Sequence, residues 1–211
     1  VHNVSQFFQI HPDNPQARLI RHAVDIIRDG GVVAYPTDSA YALGCHIGDK
    51  AAIDRIRTLR KLDDKHNFTL VGRDLSELSS YIKLGNQAHR WVRNLAPGPY
   101  TFILPATKQV PKRLMHPKRK TIGIRIPDNP IALALCEELG EPLMSSTLLL
   151  PGDEMPLLDP YEMKDTLSHQ VDLIIDGGYC GYEPTSVLVF AEDKPQVVRV
   201  GKGDISLFSN G

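Results

Sequence analysis

Fifty consecutive residues of this chain, Leu78 to Pro127, contain no Asp or Glu. The same stretch carries ten basic side chains: Lys83, Arg90, Arg93, Lys108, Lys112, Arg113, Lys118, Arg119, Lys120 and Arg125. The rest of the chain holds fourteen basic and twenty-five acidic residues, so the overall net charge of -1 conceals a strong asymmetry. Phosphates are held mainly by neutralising charge, so a one-sided distribution of this kind points to a phosphate-bearing partner or to a solvated basic face. Cysteine is scarce as well. Three residues, Cys45, Cys136 and Cys180, make an odd number without C-x-x-C spacing, which argues against a disulfide framework and a zinc site and fits a reducing, cytoplasmic setting. Long apolar runs are missing, and the opening VHNVSQFFQ does not follow the plan of a signal peptide, so the expectation is a soluble protein without a membrane span. The eight histidines are scattered with no pair at i, i+3 or i+4, and no G-x-S-x-G, G-x-x-x-x-G-K-[ST] or H-E-x-x-H motif occurs. No protein-ligated metal is expected.

What is present reads as helices alternating with short strands. Ile20, Ala23, Val24 and Ile27 form one apolar stripe on a first helix, with Asp13 or Asn14 as cap, Pro15 at its first position and Gly30 at its end. A strand at 31–35 follows, then a helix from about 49 to 60 that buries Ala52, Ile53, Ile56 and Leu59. Further strands are expected at 67–72, 100–106, 121–127, 142–147, 171–175, 185–190 and 196–200. Further helices are expected near 75–81 and 86–95, capped by Asp74 and Asn86, at 130–139 ending on Gly140, and at 160–170 capped by Asp159. The pattern implies one compact α/β domain over 1–211 with a mixed parallel and antiparallel sheet flanked by helices. The oligomeric state is left open.

Five segments gather small polar, Gly or Pro residues beside strands: 36–44 (PTDSAYALG), 97–104, 121–130, 142–152 and 176–187. Strand ends of open α/β sheets are where ligands are held, and a phosphate or carboxylate satisfies many hydroxyl donors at once. Arg125 lies mid-strand between Ile124 and Ile126, so it is either a surface position or the floor of an anion site.

In this order the segments resemble the YrdC/YciO family, the YciO branch above all. The resemblance rests on Pro36–Leu43 against P-T-[ED]-T-x-Y-G-L, on Pro97–Thr101 against P-G-P-x-T, and on Gly123, Arg125 and Pro127 against G-x-R-x-P. It implies a twisted sheet with a large basic concave cleft, and a threonylcarbamoyl-AMP synthase-like nucleotidyltransferase in tRNA modification. Such an enzyme uses L-threonine, bicarbonate and ATP, with Mg²⁺ accompanying the nucleotide. By the same resemblance Arg60 and Thr37 would be catalytic, and Thr37, Ser39, Tyr41, Arg60, Thr101 and Thr185 would bind the small amino-acid substrate. Arg125, Ser146, Thr147, Ser186 and Arg199 would hold the nucleotide. The family lysine and asparagine are replaced by Thr58 and Leu149, which implies a weak reaction or an altered substrate. The alternative reading is a module for double-stranded RNA, tRNA or rRNA with vestigial catalysis, in which Lys112, Arg113, Lys118, Arg119 and Lys120 contact nucleic acid.

Overall fold

The computed structural model of the chain describes residues 4–63, 66 and 68–208. Among the described residues ten strands form one mixed sheet in the order β1-β8-β2-β3-β7-β4-β6-β5-β9-β10. In chain order these are β1 (Gln6–Gln9), β2 (Val33–Tyr35), β3 (Ala42–His46), β4 (Thr69–Val71), β5 (Tyr100–Pro105), β6 (Thr121–Arg125), β7 (Leu143–Thr147), β8 (Leu173–Asp176), β9 (Ser186–Ala191) and β10 (Lys194–Arg199). Six α-helices connect them: α1 (Ala17–Arg28), α2 (Lys50–Arg60), α3 (Leu75–Leu78), α4 (Asn86–Leu95), α5 (Pro130–Leu139) and α6 (Pro160–Leu167). Among the described residues no helix is long and apolar enough to cross a membrane.

The period-2 alternation of the strands sorts the core into two layers. On one face Val33, Tyr35, Ala42, Leu143, Leu173 and Val71 pack against Ile20, Val24 and Ile27 of α1 and Ile131, Leu135 and Leu139 of α5. On the other, Leu43, Leu70, Ile124, Phe102 and Leu188 pack against Ile53 and Ile56 of α2, Ala88 and Val92 of α4, and Met163 of α6. The first layer stops at Val71 and contains no residue of β5, β6 or β9. Their side chains on that face, Thr101, Ile103, Val187 and Val189, are accordingly only half-buried, while the alternate Phe102, Leu104, Leu188 and Phe190 are buried.

Several expected boundaries move. Helix α1 starts at Ala17 rather than Pro15, without a side-chain cap. The backbone N–H groups of Asp13 and Asn14 donate to His11 Nδ1, and the Gln16 side chain accepts from His11 N–H, so the segment before α1 closes on itself. Helix α4 is capped not by Asn86 but by Asp193, whose carboxylate in the β9–β10 turn accepts from the N–H groups of Gln87 and Ala88 at 2.9 and 2.8 Å. Leu59 is half-buried, α6 ends at Leu167, and strands β1 and β3 lie in stretches that carry no expected strand.

Candidate functional site

The loops leaving β2 and β8 are pinned together. The Thr37 hydroxyl closes its own turn, accepting from the N–H groups of Ser39 and Ala40 and donating to Ala40 O at 2.6 Å. Tyr41 reaches across to the other loop, its OH donating to Gly178 O at 2.6 Å and accepting from Gly177 N–H. Burial pushes that phenol well above its ordinary range. Gly181 sits at φ +120° with its Cα facing Ser39 O, and a Cβ there would lie 2.8 Å from that oxygen. Thr37 and Tyr41, expected to touch substrate, therefore direct their hydroxyls to backbone. Thr37 is 1 % exposed and Tyr41 0 %. Ser39 is buried beside Thr37, the two hydroxyl oxygens 3.2 Å apart.

The turn fixed by Thr37 aims Asp38 at Arg125. The two form a buried ion pair, and the second Asp38 oxygen accepts from Asp128 N–H at 2.9 Å. Lys202 closes the arrangement from above by donating to Asp38 O. Arg125 is 6 % exposed and its Nε has no partner. Burial, with the like charge of Arg199 adding to it, pulls the guanidinium down to about 10, so it stays charged at neutral pH. Arg125 is thus neither a free surface group nor an open anion floor: the protein's own carboxylate sits against it.

Arg199 belongs to a second group on the same uncovered face. Its guanidinium donates to Thr185 O and Thr185 Oγ1, each at 2.9 Å, and Thr185 Oγ1 lies 2.7 Å from Thr101 Oγ1. Gly123 lies between strands β4 and β5, where a Cβ would come within 3.0 Å of Thr69 Oγ1 and 3.2 Å of Thr101 Cγ2. Its missing side chain leaves room between the Thr69 hydroxyl and the Thr101 methyl, while the Thr101 hydroxyl turns to Thr185.

A third group lies on the opposite face. Arg60, at the end of α2, donates from Nε to Leu149 O at 3.1 Å and from Nη1 to Ser146 Oγ at 2.5 Å. Burial lowers the Arg60 guanidinium from its ordinary value. Strand alternation separates the three hydroxyls of β7. Ser146 meets Arg60, Ser145 turns to the other face and bonds the buried Tyr35 OH at 2.6 Å, and Thr147 is exposed. Ser186 departs from the expected role. It is fully buried, its hydroxyl donates to Gly203 O and accepts from Gly201 N–H, and it holds the 201–203 segment rather than a ligand.

Lys112, Arg113, Lys118, Arg119 and Lys120 are all exposed on the connection between β5 and β6. Among the described residues none of the five forms an ion pair. Arg113 is tied down through backbone, donating to Gly48 O while its own carbonyl accepts from Arg57. Two cavities, of about 570 and 660 Å³, are lined by none of the expected site residues. Sequence reasoning overlooked Asp38 as the partner of Arg125, and Lys202. The G-K-G run after β10 was the available signal for the latter.

Residues 25–201 match the Sua5/YciO/YrdC family, described as telomere recombination. The chain belongs to this family. It is 60 % identical over 205 residues to the uncharacterized protein YciO of Escherichia coli K12, covering 97 % of this chain and all of that one. A threonylcarbamoyl-AMP synthase of Vibrio vulnificus is 32 % identical over 162 residues, 75 % of this chain and 86 % of the synthase. Among solved structures, E. coli YciO superposes with a TM-score of 0.93 over 97 % of this chain and 99 % of that one. P. abyssi Sua5 complexed with L-threonine superposes with a TM-score of 0.85 at 25 % identity, over 93 % of this chain and 58 % of the longer Sua5 chain. The fold expected from the sequence, one mixed sheet flanked by helices, is the fold of these relatives, and the chain lies with YciO rather than with the synthases.

Proposed function

We propose that the protein binds a nucleotide on the uncovered face of β4, β6, β5 and β9 and carries out a slow or altered threonylcarbamoyl-AMP synthase-type reaction. The observation that carries this reading is the hydrogen-bonded cluster of Arg199, Thr185 and Thr101 on the uncovered face that also carries Arg125. Arg125 already holds the Asp38 carboxylate, so a triphosphate bonding the Arg199–Thr185–Thr101 cluster would reach Arg125 by displacing Asp38 from it. The synthase relative and the threonine-bound Sua5 supply the reaction class. In this reading Arg199 and Arg125 neutralise phosphate charge, Thr101 and Thr185 donate to it, and Arg60 with Ser146 borders the small substrate. Among the described residues no three His, Cys, Asp or Glu side chains converge, so Mg²⁺ would arrive with the nucleotide and keep water and phosphate as ligands. Leu149 contributes only its carbonyl to Arg60, where a family asparagine would add a side-chain amide, and this underlies the reduced rate.

Pyrophosphate release from ATP with L-threonine and bicarbonate tests the reading. Turnover above the no-threonine control, lowered at least tenfold in Arg199→Ala, supports it; absence of turnover in the unaltered protein refutes it. The five exposed cations between β5 and β6, which form no ion pair among the described residues, favour a second reading, RNA binding by charge. It requires affinity to fall steeply with salt and to weaken when Lys118, Arg119 and Lys120 are neutralised.

A further inference from the structure

Strands β4 and β6 are parallel neighbours, so both release the chain at the same end of the sheet. That end is opposite to the carboxyl end of β7, which pairs antiparallel with β4. Beyond β4 the chain passes to the face of Leu70, where Leu78, Ala88 and Val92 of α3 and α4 join the core. Beyond β6 it passes to the other face, where Ile131, Ala132 and Leu135 of α5 pack with Val71. When adjacent parallel strands send their connections to opposite faces, a crevice opens between the two exits, and open α/β sheets use that crevice for ligands.

Here the crevice is a cavity of about 570 Å³, a volume within the range of small-molecule sites. Its walls include Leu75, Leu84, Val92 and Ile126, and its rim carries Arg73, Asp74, Ser76, Ser79, His89 and Arg93. The two arginines differ. Arg73 Nε lies 3.5 Å from carboxylate oxygens of both Asp74 and Glu77, so its charge is answered within the protein. Arg93 is exposed, and among the described residues it forms no ion pair. Arg93 is therefore the lining cation that, among the described residues, has no carboxylate partner, while Arg73, Asp74 and Glu77 together carry a net charge of -1.

We propose that this crevice is a second binding site, for a small monoanion with an apolar body. A carboxylate head would lie against Arg93 and the rim serines, and an aliphatic or aromatic body would lie on Leu84, Val92 and Ile126. Arg93 can answer one anionic charge and no more, since the Asp74 carboxylate also lines the cavity, and the polar rim over an apolar wall selects an amphiphile over a free ion. The site is independent of the nucleotide reading, since no residue proposed to hold nucleotide or threonine lines it. It nevertheless abuts that reading's central residue. Ile126 follows Arg125 directly, and the Arg125 carbonyl accepts from Gly72 N–H between the two strand ends. A ligand seated on Ile126 would stiffen the strand end that carries Arg125.

Amide NMR titration of the full chain with octanoate, 1-octanol and inorganic phosphate tests the proposal. The expected result is that octanoate shifts the amides of Ser76, Ser79, His89, Arg93 and Ile126 at least tenfold more tightly than 1-octanol, and that phosphate alone leaves them unmoved. Arg93→Glu, an exposed substitution, should weaken octanoate at least tenfold, and Ser76→Phe should block it by filling the crevice. Octanoate shifts scattered over other surfaces, equal affinity for octanoate and octanol, or undiminished binding by Arg93→Glu would each overturn it. If Ser76→Phe fails to fold by circular dichroism, the charge reversal still decides.

Discussion

Removing the Asp38 carboxylate is the most informative single perturbation of this fold. In Asp38→Ala the Arg125 guanidinium loses its ion-pair partner while remaining in a site where its own exposure is 6 %, and Asp128 N–H loses its acceptor. Arg125 Nε already lacks a partner, so no spare hydrogen bond within the protein takes up the charge. Breaking a buried pair by deleting one member typically costs about 3–5 kcal/mol, because the remaining charge is stranded. For a domain of this size each kcal/mol corresponds to about 2–4 °C, so the melting temperature should fall by roughly 6–20 °C. Equilibrium urea unfolding should show the loss as a lower midpoint with an unchanged slope. Arg125→Met in the same background should restore most of the stability, since removing both members leaves no stranded charge. Phosphate should stabilise Asp38→Ala more than it stabilises the unaltered protein, by occupying the vacated anion position. A loss below about 1 kcal/mol, the level of an exposed pair, would refute this account, as would full additivity of the two substitutions.

Burial, aided by the neighbouring Arg60 and Arg57 charges, lowers the His66 imidazole to about 4. An unfolded chain binds that proton near 6.5, so stability should decline as pH falls from about 6.5 and level off below about 4. The total is up to about 3 kcal/mol, and it should be absent from urea midpoints of His66→Gln at pH 7 and 4.5. Asp193→Ala removes the cap of α4 and should cost about 0.5–2 kcal/mol, with faster amide exchange at Gln87 and Ala88. Thr58→Lys with Leu149→Asn restores the family residues and should raise threonine-dependent pyrophosphate release at least tenfold; unchanged turnover would count against the proposed cause of the slow reaction.

Elements with a strong local signature were readable. The stripe of Ile20, Ala23, Val24 and Ile27 placed α1, and the apolar run closed by Gly140 placed α5, whose N-terminus the structure shows capped by the Asn129 side chain accepting from the N–H groups of Ile131 and Ala132. What escaped was set by distant residues. The cap of α4 comes from Asp193, about a hundred positions away, and no local rule anticipates it. Strand β1 is four residues of QFFQ whose only ladder among the described residues is with β8, so its order derives from pairing rather than propensity. In the candidate site, the motif residues were legible by resemblance, but their directions were not. Alternation along β7 sends Ser145 and Ser146 to opposite faces, and register decides which one meets Arg60. Asp38 reads as one more small polar residue in a loop until the turn made by Thr37 brings it to Arg125.

The place of β8 in the sheet bears on how the chain is made. Strands β1 and β2 come early, yet they do not pair with each other: β8 fills the slot between them, bonded in parallel to both. During synthesis β2 is complete at Tyr35, whereas β8 is complete only at Asp176. At about 5–20 residues per second the ribosome needs roughly 7–28 s to cover that interval. For that time the nascent chain carries two unpaired strand edges and the apolar stripe of α1, the very surface that chaperones shield. The sheet closes there only as its eighth strand arrives.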